Sequence, residues 1–138
     1  MTYILLIGFA PETEDFFDPD RPPEMTPEKV IADIEAGLEQ IRERGWEVDR
    51  CFIRADESVE IAGSIVEQKL RSATAAYDCI VIGGGIRFPS KYLLFEAVIN
   101  AVHRAAPTAA IAFNSRPDET AEAAGRWLTT ENNHPEAR

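Results

Sequence analysis

The sequence has little cysteine and no C-x-x-C pair. Its two cysteines, Cys51 and Cys79, lie inside apolar segments, where a thiol usually serves as a small buried apolar group. The predicted strands that carry them lie on opposite sides of the first strand, which places the two sulfurs too far apart to bond. We therefore expect two buried free thiols and no disulfide framework.

The chain also lacks a long hydrophobic run and an excess of basic charge. No apolar run approaches the roughly 18 residues of a membrane-spanning helix, and the opening MTYILLIGF has no basic region of the kind that begins a signal peptide. We therefore expect a cytoplasmic protein. The formal net charge of −10 would repel DNA and anionic membrane surfaces. Neither nucleic acid nor a membrane is an expected partner.

Apolar strands alternate with amphipathic helices along the 138 residues. The pattern predicts strands at 3–7, 47–53, 78–82 and 109–113. Alternation of this kind indicates a parallel sheet with right-handed crossovers and helices on both faces. We predict a three-layer α/β/α sandwich, Rossmann-like or flavodoxin-like, with strand order 2-1-3-4. A single domain is expected over 1–130, followed by a flexible tail at 131–138.

The carboxyl edge of this sheet is the predicted ligand site. In parallel α/β sheets, ligands bind where the strand order reverses, which here lies between the first and third strands. The first strand ends at Gly8 and the third at Gly83-Gly84-Gly85. Glycines permit positive φ angles and close approach of a ligand to the backbone. The helix that follows them is expected to offer free N–H groups to an anion.

Basic residues follow several strand ends of this acidic chain, namely Arg54, Arg87, Lys91 and Arg116. Cations near helix N-termini are disfavoured by the helix dipole, so their position predicts a compensating anion. Three interpretations stay open: a bound phosphate or carboxylate, salt bridges to the acidic loop at 9–26, or scattered surface charge. The predicted ligand-binding residues are Gly8, Gly83, Gly84, Gly85, Arg87, Ser90, Lys91, Asn114 and Arg116.

The loop at 9–26 is long for a βα connection and rich in proline and acids. Loops of this length are usually functional lids or disordered. The acids lack the D-x-[DN]-x-[DN]-G spacing of a calcium loop. A solvated acidic loop is therefore favoured over a metal site, and no metal site is predicted. A lid stays an open alternative.

Known nucleotide-binding motifs do not fit the glycine run. Phe88 stands where a dinucleotide fingerprint needs its third glycine. Ser90 and Tyr92 replace the second glycine and the magnesium-binding hydroxyl of a P-loop. The edge offers no histidine, usable cysteine or paired carboxylate, so no reaction and no cofactor are predicted. An enzyme that uses Asn114, Arg116 and an acid of the long loop is a further alternative.

The third helix, predicted from about residue 90 to 105, indicates a second kind of function. Its apolar residues, Leu94 and Val98 among them, cover well over half of its circumference, whereas a helix lying on a sheet needs about 100°. The extra width predicts packing against another helix, from the same chain or from a second copy. A non-catalytic homodimer or partner-binding module is therefore the main alternative to ligand binding.

The stretch YDCIVIGGGIR at 77–87, continued by LFEAVIN at 94–100 and AFN at 112–114, resembles a group of short bacterial proteins of unassigned function. The resemblance covers most of the chain. It implies a compact stand-alone domain and brings no activity, cofactor or catalytic residue.

Overall fold

The computed structural model describes residues 1–17, 19 and 21–128, and its sheet is parallel throughout with order β2-β1-β3-β4. The strands are β1 Tyr3–Phe9, β2 Glu47–Ile53, β3 Cys79–Ile82 and β4 Ala110–Phe113. The helices are α1 Pro27–Glu43, α2 Val59–Arg71, α3 Tyr92–Ala105 and α4 Thr120–Gly125. The predicted α/β fold and strand order are confirmed. The tail predicted at 131–138 lies outside the described residues.

Alternate side chains of the same strands build two hydrophobic cores, one on each face of the sheet. On β1, Leu5 and Ile7 pack with α2 and α3, whereas Ile4 and Leu6 pack with α1 and α4. All four side chains are buried. A strand covered on both faces needs apolar residues at successive positions, which explains the unbroken run that predicted β1.

Local capping signals define both ends of α1. The Thr26 hydroxyl accepts a hydrogen bond from the Lys29 N–H at 3.2 Å, and Pro27 takes the first helical position. Gly45 follows the helix with a φ of +80°, a conformation that glycine adopts without steric cost. These bounds were readable in the sequence because caps depend on neighbouring residues alone.

The wide apolar face of α3 packs against α2 of the same chain. Leu94 and Val98 are 5% and 0% exposed, so neither is accessible to a second copy in the folded chain. The homodimer through this helix stays a prediction. Any such contact would have to use the outer residues of α3, of which Tyr92 and Leu93 are exposed.

The two cysteines are free and buried. Burial raises the pKa of Cys51 to about 11 and that of Cys79 to about 12. Because the thiolate is the reactive form, we expect neither thiol to react with Ellman's reagent at mildly alkaline pH while the protein is folded. Both should react in concentrated guanidinium chloride. Rapid labelling of the native protein would contradict this prediction.

None of the helices in the described part of the chain combines the length and the apolar character needed to cross a lipid bilayer.

Candidate functional site

A cavity of about 240 Å³ lies at the carboxyl edge of the sheet, between the ends of β1, β3 and β4 and the loop that follows β1. Most of its wall is apolar, from Leu6, Phe9, Pro22, Met25, Val30, Ile34, Phe52 and Phe88. The cavity coincides with the reversal of strand order between β1 and β3, where sheets of this type bind their ligands.

The predicted site residues divide into two groups in the structure. Those that line the cavity are Gly8, Gly83, Gly84, Gly85 and Asn114. Those that do not line it are Arg87, Ser90, Lys91 and Arg116. A cavity therefore lies at the predicted edge, but the predicted cations do not line it.

Arg87 connects the ends of β3 and β4 through hydrogen bonds to backbone oxygens. Its Nε donates to the carbonyl oxygen of Ile82 at 3.4 Å and its Nη2 donates to the carbonyl oxygen of Asn114. The guanidinium also lies over the Phe113 ring, 4.9 Å from its centroid, and burial lowers the pKa of the group. Arg87 thus connects the segments after β3 and β4, and its hydrogen bonds serve the backbone.

The other predicted cations find partners close by in sequence or on the backbone. Arg116 pairs with Asp118 at 3.0 Å and is exposed, and Arg54 pairs with Asp56 at 2.9 Å. Lys91 donates to the carbonyl oxygen of Ala55 at 3.3 Å. Arg54 and Arg116 are therefore balanced by acids of their own loops, whereas Lys91 is held by a backbone carbonyl oxygen.

A turn separates the glycine run from α3, which begins slightly later than the predicted start near residue 90. Pro89 forces the preceding Phe88 into an extended conformation, with ψ of 145°, and a 3-10 turn at Pro89–Lys91 intervenes before α3 begins at Tyr92. Ser90 is exposed on this turn and does not cap α3, which begins without a side-chain cap. The amino end of α3 is therefore not part of the cavity.

Glycine is required in this run for space and not for an unusual backbone angle. Among the described residues only Gly45 has a positive φ. A Cβ on Gly85 would lie 3.0 Å from the Phe9 ring and 3.4 Å from Oε1 of Glu14, which is tight against the ring. The absence of a side chain at Gly85 lets β1 and the following loop approach the turn after β3.

Glu14 and Arg21 form a buried ion pair that sequence reasoning missed. Their side chains are 6% and 5% exposed and 2.5 Å apart, and the Arg21 guanidinium lies 4.5 Å from the centroid of the Phe16 ring. Burial raises the pKa of Glu14, against the opposing effect of its hydrogen bond from Arg21. Both residues line the cavity. Glu14 is therefore part of the cavity wall, which corrects the prediction that the loop is simply solvated.

One feature of the sequence could have indicated this pair. Arg21 is the single basic residue among the acids of the loop at 9–26. A lone arginine surrounded by prolines and carboxylates is a natural partner for one of them. Which acid it selects depends on the folded path of the loop.

In the described part of the chain, Asn114 is the most deeply buried polar residue that lines the cavity. Only 3% of its surface is exposed. Its Nδ2 donates to the Thr120 hydroxyl at 3.0 Å. Its Oδ1 is buried, and no described residue donates a hydrogen bond to it. Asn114 thus lines the cavity with its amide held in place by Thr120.

The side chains that the sequence suggested for metal binding or catalysis are only partly brought together. Within 1–17, 19 and 21–128, no three His, Cys, Asp or Glu side chains are grouped to hold a metal ion. Of the predicted catalytic trio, Asn114 and a loop acid, Glu14, share the cavity, but Arg116 lies outside it. The site must be interpreted from its own geometry, because no protein-family model and no curated protein matches this sequence.

Proposed function

We propose that this protein is a small-molecule-binding domain whose ligand occupies the cavity at the carboxyl edge of the sheet. The carrying observation is that the cavity is lined by the glycines at the ends of β1 and β3 together with buried Asn114. Ligand sites are mostly apolar concavities with a few placed polar groups, and this cavity has that character.

The proposed ligand is small and mostly apolar. At about 240 Å³, the cavity is smaller than the roughly 300–1,000 Å³ typical of sites for drug-sized ligands. An anion, which the sequence predicted, receives little support from the arrangement of charges. Arg21, a cation of the cavity wall, is already paired with Glu14, and the Glu14 carboxylate would repel a second negative charge.

Added methyl groups on the glycines of the cavity test this proposal. A Cβ on Gly8 or Gly84 would make contacts of 3.7 Å or longer, which the fold accommodates. A thermal-shift panel of neutral, cationic and anionic small molecules, with inorganic phosphate included, should yield a compound that stabilises the protein. We expect Gly8→Ala/Gly84→Ala to bind that compound about tenfold or more weakly, since one methyl in a fitted pocket changes affinity by roughly 10–200-fold.

Gly63→Ala is the matched control for this experiment. Its added methyl lies 3.5 Å from the Cβ of Ala97 between α2 and α3, away from the cavity. The control should bind the compound as tightly as the unchanged protein. Absence of any stabilising compound, or unaltered binding by the double variant, would refute the proposed function.

A further inference from the structure

The two edge strands of the sheet differ in charge. β2, at one edge, carries the charged residues Glu47, Asp49 and Arg50. Charged side chains on an edge strand discourage pairing with a strand of another chain. β4, at the opposite edge, has the sequence Ala-Ile-Ala-Phe and carries no charged side chain. The β4 edge therefore lacks the protection that the β2 edge has.

The hydrogen bonds of β4 show which of its backbone groups face outwards. The Ala110 N–H donates to the carbonyl oxygen of Asp78 at 3.0 Å, so the backbone groups of Ala110 point towards β3. Successive residues of a paired strand alternate in this direction. The N–H and C=O groups of Ile111 and Phe113 consequently point away from the sheet. In the described part of the chain, no loop or turn backbone group bonds to Ile111.

The backbone groups that remain available at this edge are complementary to their own copy. The Phe113 carbonyl oxygen accepts from Nη2 of Arg126 at 2.7 Å, and the Ala109 N–H donates to the carbonyl oxygen of Ala106 at 3.1 Å. In an antiparallel pair with a two-fold axis at Ile111, each Ile111 N–H meets the other Ile111 C=O, and each Phe113 N–H meets an Ala109 C=O. The groups that are already bonded within the chain are the ones that this pairing needs least.

An apolar strip of α3 runs beside the same edge. The Phe95 ring packs edge-on against the Phe113 ring of β4, with centroids 5.7 Å apart. Tyr92 and Ile99 lie three residues before and four after Phe95, so they share its side of the helix. Tyr92 is exposed, and Phe95 and Ile99 are half-buried. Ala97, on the opposite side of α3, packs against α2, which leaves the strip at the outer margin of the helix.

We infer that two copies of this chain pair antiparallel through β4 and form a dimer with one continuous eight-stranded sheet. A two-fold axis perpendicular to the sheet keeps α3 of both copies on the same face, so their strips meet side by side. Phe95 lies against Phe113, and Ile99, about 6 Å further along α3, is therefore level with Ile111, about 7 Å back along β4. Ile99 of each copy thus lies beside the axis.

A second copy is the occupant that fits this edge. It supplies the same free backbone groups in reverse order and an identical apolar strip at the matching height. The formal net charge of −10 opposes contact between two copies over most of their surface, but neither β4 nor the strip of Tyr92, Phe95 and Ile99 carries a charge. This arrangement also gives a use to the wide apolar arc of α3 without exposing Leu94 or Val98. It is independent of what the cavity binds.

Ile99→Glu tests the interface at its axis. We expect the unchanged protein to sediment as a dimer in a concentration series across the micromolar range. Ile99→Glu places two carboxylates beside each other at the axis and should weaken association about tenfold or more, since like charges in contact are strongly unfavourable at an interface. Ile61→Glu is the matched control, because Ile61 is 51% exposed on α2, and it should associate like the unchanged protein.

Ile99→Cys carries the test if Ile99→Glu does not fold, because cysteine is a small apolar residue that suits a half-buried position. Mild oxidation should join two copies of this variant through a disulfide at the axis. Ile61→Cys is its control and should form covalent dimers much more slowly. The native Cys51 and Cys79 are buried, so they should not contribute to this cross-linking.

The outcomes separate this dimer from other arrangements. A dimer that Ile99→Glu dissociates and Ile61→Glu leaves intact supports the inference, as does selective cross-linking of Ile99→Cys. A monomer throughout the concentration series leaves the edge to a different occupant and overturns the inference. A dimer that Ile99→Glu does not weaken, or cross-linking that is equal for Ile99→Cys and Ile61→Cys, overturns it as well.

Discussion

Gly37→Ala is expected to lower the free energy of unfolding by about 1–3 kcal/mol, the usual cost of overpacking a close contact. Alanine is a better helix former than glycine by up to about 1 kcal/mol, so helix propensity alone predicts that this substitution stabilises the protein. The clash decides the outcome, because a Cβ on Gly37 would overlap the carbonyl oxygen of Pro117. This contact involves backbone atoms of two packed segments, which cannot move aside as a flexible side chain could.

Gly63→Ala provides the comparison within the same fold. Gly63 also lies inside a helix, α2, but its added methyl would meet Ala97 Cβ at an ordinary 3.5 Å. We expect this variant to be more stable by about 0.5–1 kcal/mol. Urea denaturation of both variants measures the difference. Stabilisation by both substitutions would show that α1 and the segment after β4 are not in the close contact described.

Arg21→Met is expected to destabilise the protein by about 3–5 kcal/mol, the range for breaking a buried ion pair by removing one partner. The change leaves the Glu14 carboxylate buried at 6% exposure with no charge to balance it. It also removes the guanidinium that lies over the Phe16 and Phe88 rings. Because Arg21, Glu14 and Phe16 belong to the loop after β1, the same substitution should open the cavity wall and weaken binding of any ligand found there.

Two further variants show how much of the stability lost in Arg21→Met comes from the unbalanced charge of Glu14. Arg116→Met breaks an exposed pair with Asp118 and should cost at most about 1 kcal/mol. Glu14→Gln/Arg21→Met removes the uncompensated carboxylate and should recover part of the stability lost in Arg21→Met. Urea denaturation measures all three variants. A double variant no more stable than Arg21→Met would assign the loss to packing alone.

The pH dependence of the Arg21→Met penalty gives a separate test. Burial raises the pKa of Glu14 and Arg21 opposes that rise, so the pKa should rise further when the arginine is removed. A carboxyl with a raised pKa binds its proton more readily in the folded than in the unfolded chain. Lowering the pH from neutral through this raised pKa should therefore narrow the stability gap between the variant and the unchanged protein. A gap independent of pH would contradict a buried charge at Glu14.

Much of the fold was readable in the sequence because its signals are local. The β2 segment Glu47–Ile53 matches its prediction at both ends, and β1 extends beyond its predicted end because Gly8 and Phe9 continue the pairing with β2. Thr26 caps α1 and Gly45 follows it with a positive φ, so both ends of this helix depend on residues close in sequence. Strand order then followed from the short right-handed crossovers between parallel strands.

The position of the candidate site was also readable, since the reversal of strand order and the glycines at 83–85 both indicated the carboxyl edge. The chemistry of the site was not. Each arginine near this edge has several acidic residues close to it in sequence. The sequence does not show with which of them it forms an ion pair. Arg116 selected the adjacent Asp118, whereas Arg21 selected Glu14 inside the loop.

By itself, the sequence determined the strands, their order in the sheet and the edge at which the cavity lies. The tertiary structure decided which side chains face the cavity. Glu14 is buried against Gly85, and Asn114 is oriented through Thr120 and Pro117 because α1 has no side chain at Gly37. These contacts join residues from separate elements, and burial selects them only once the elements have packed together.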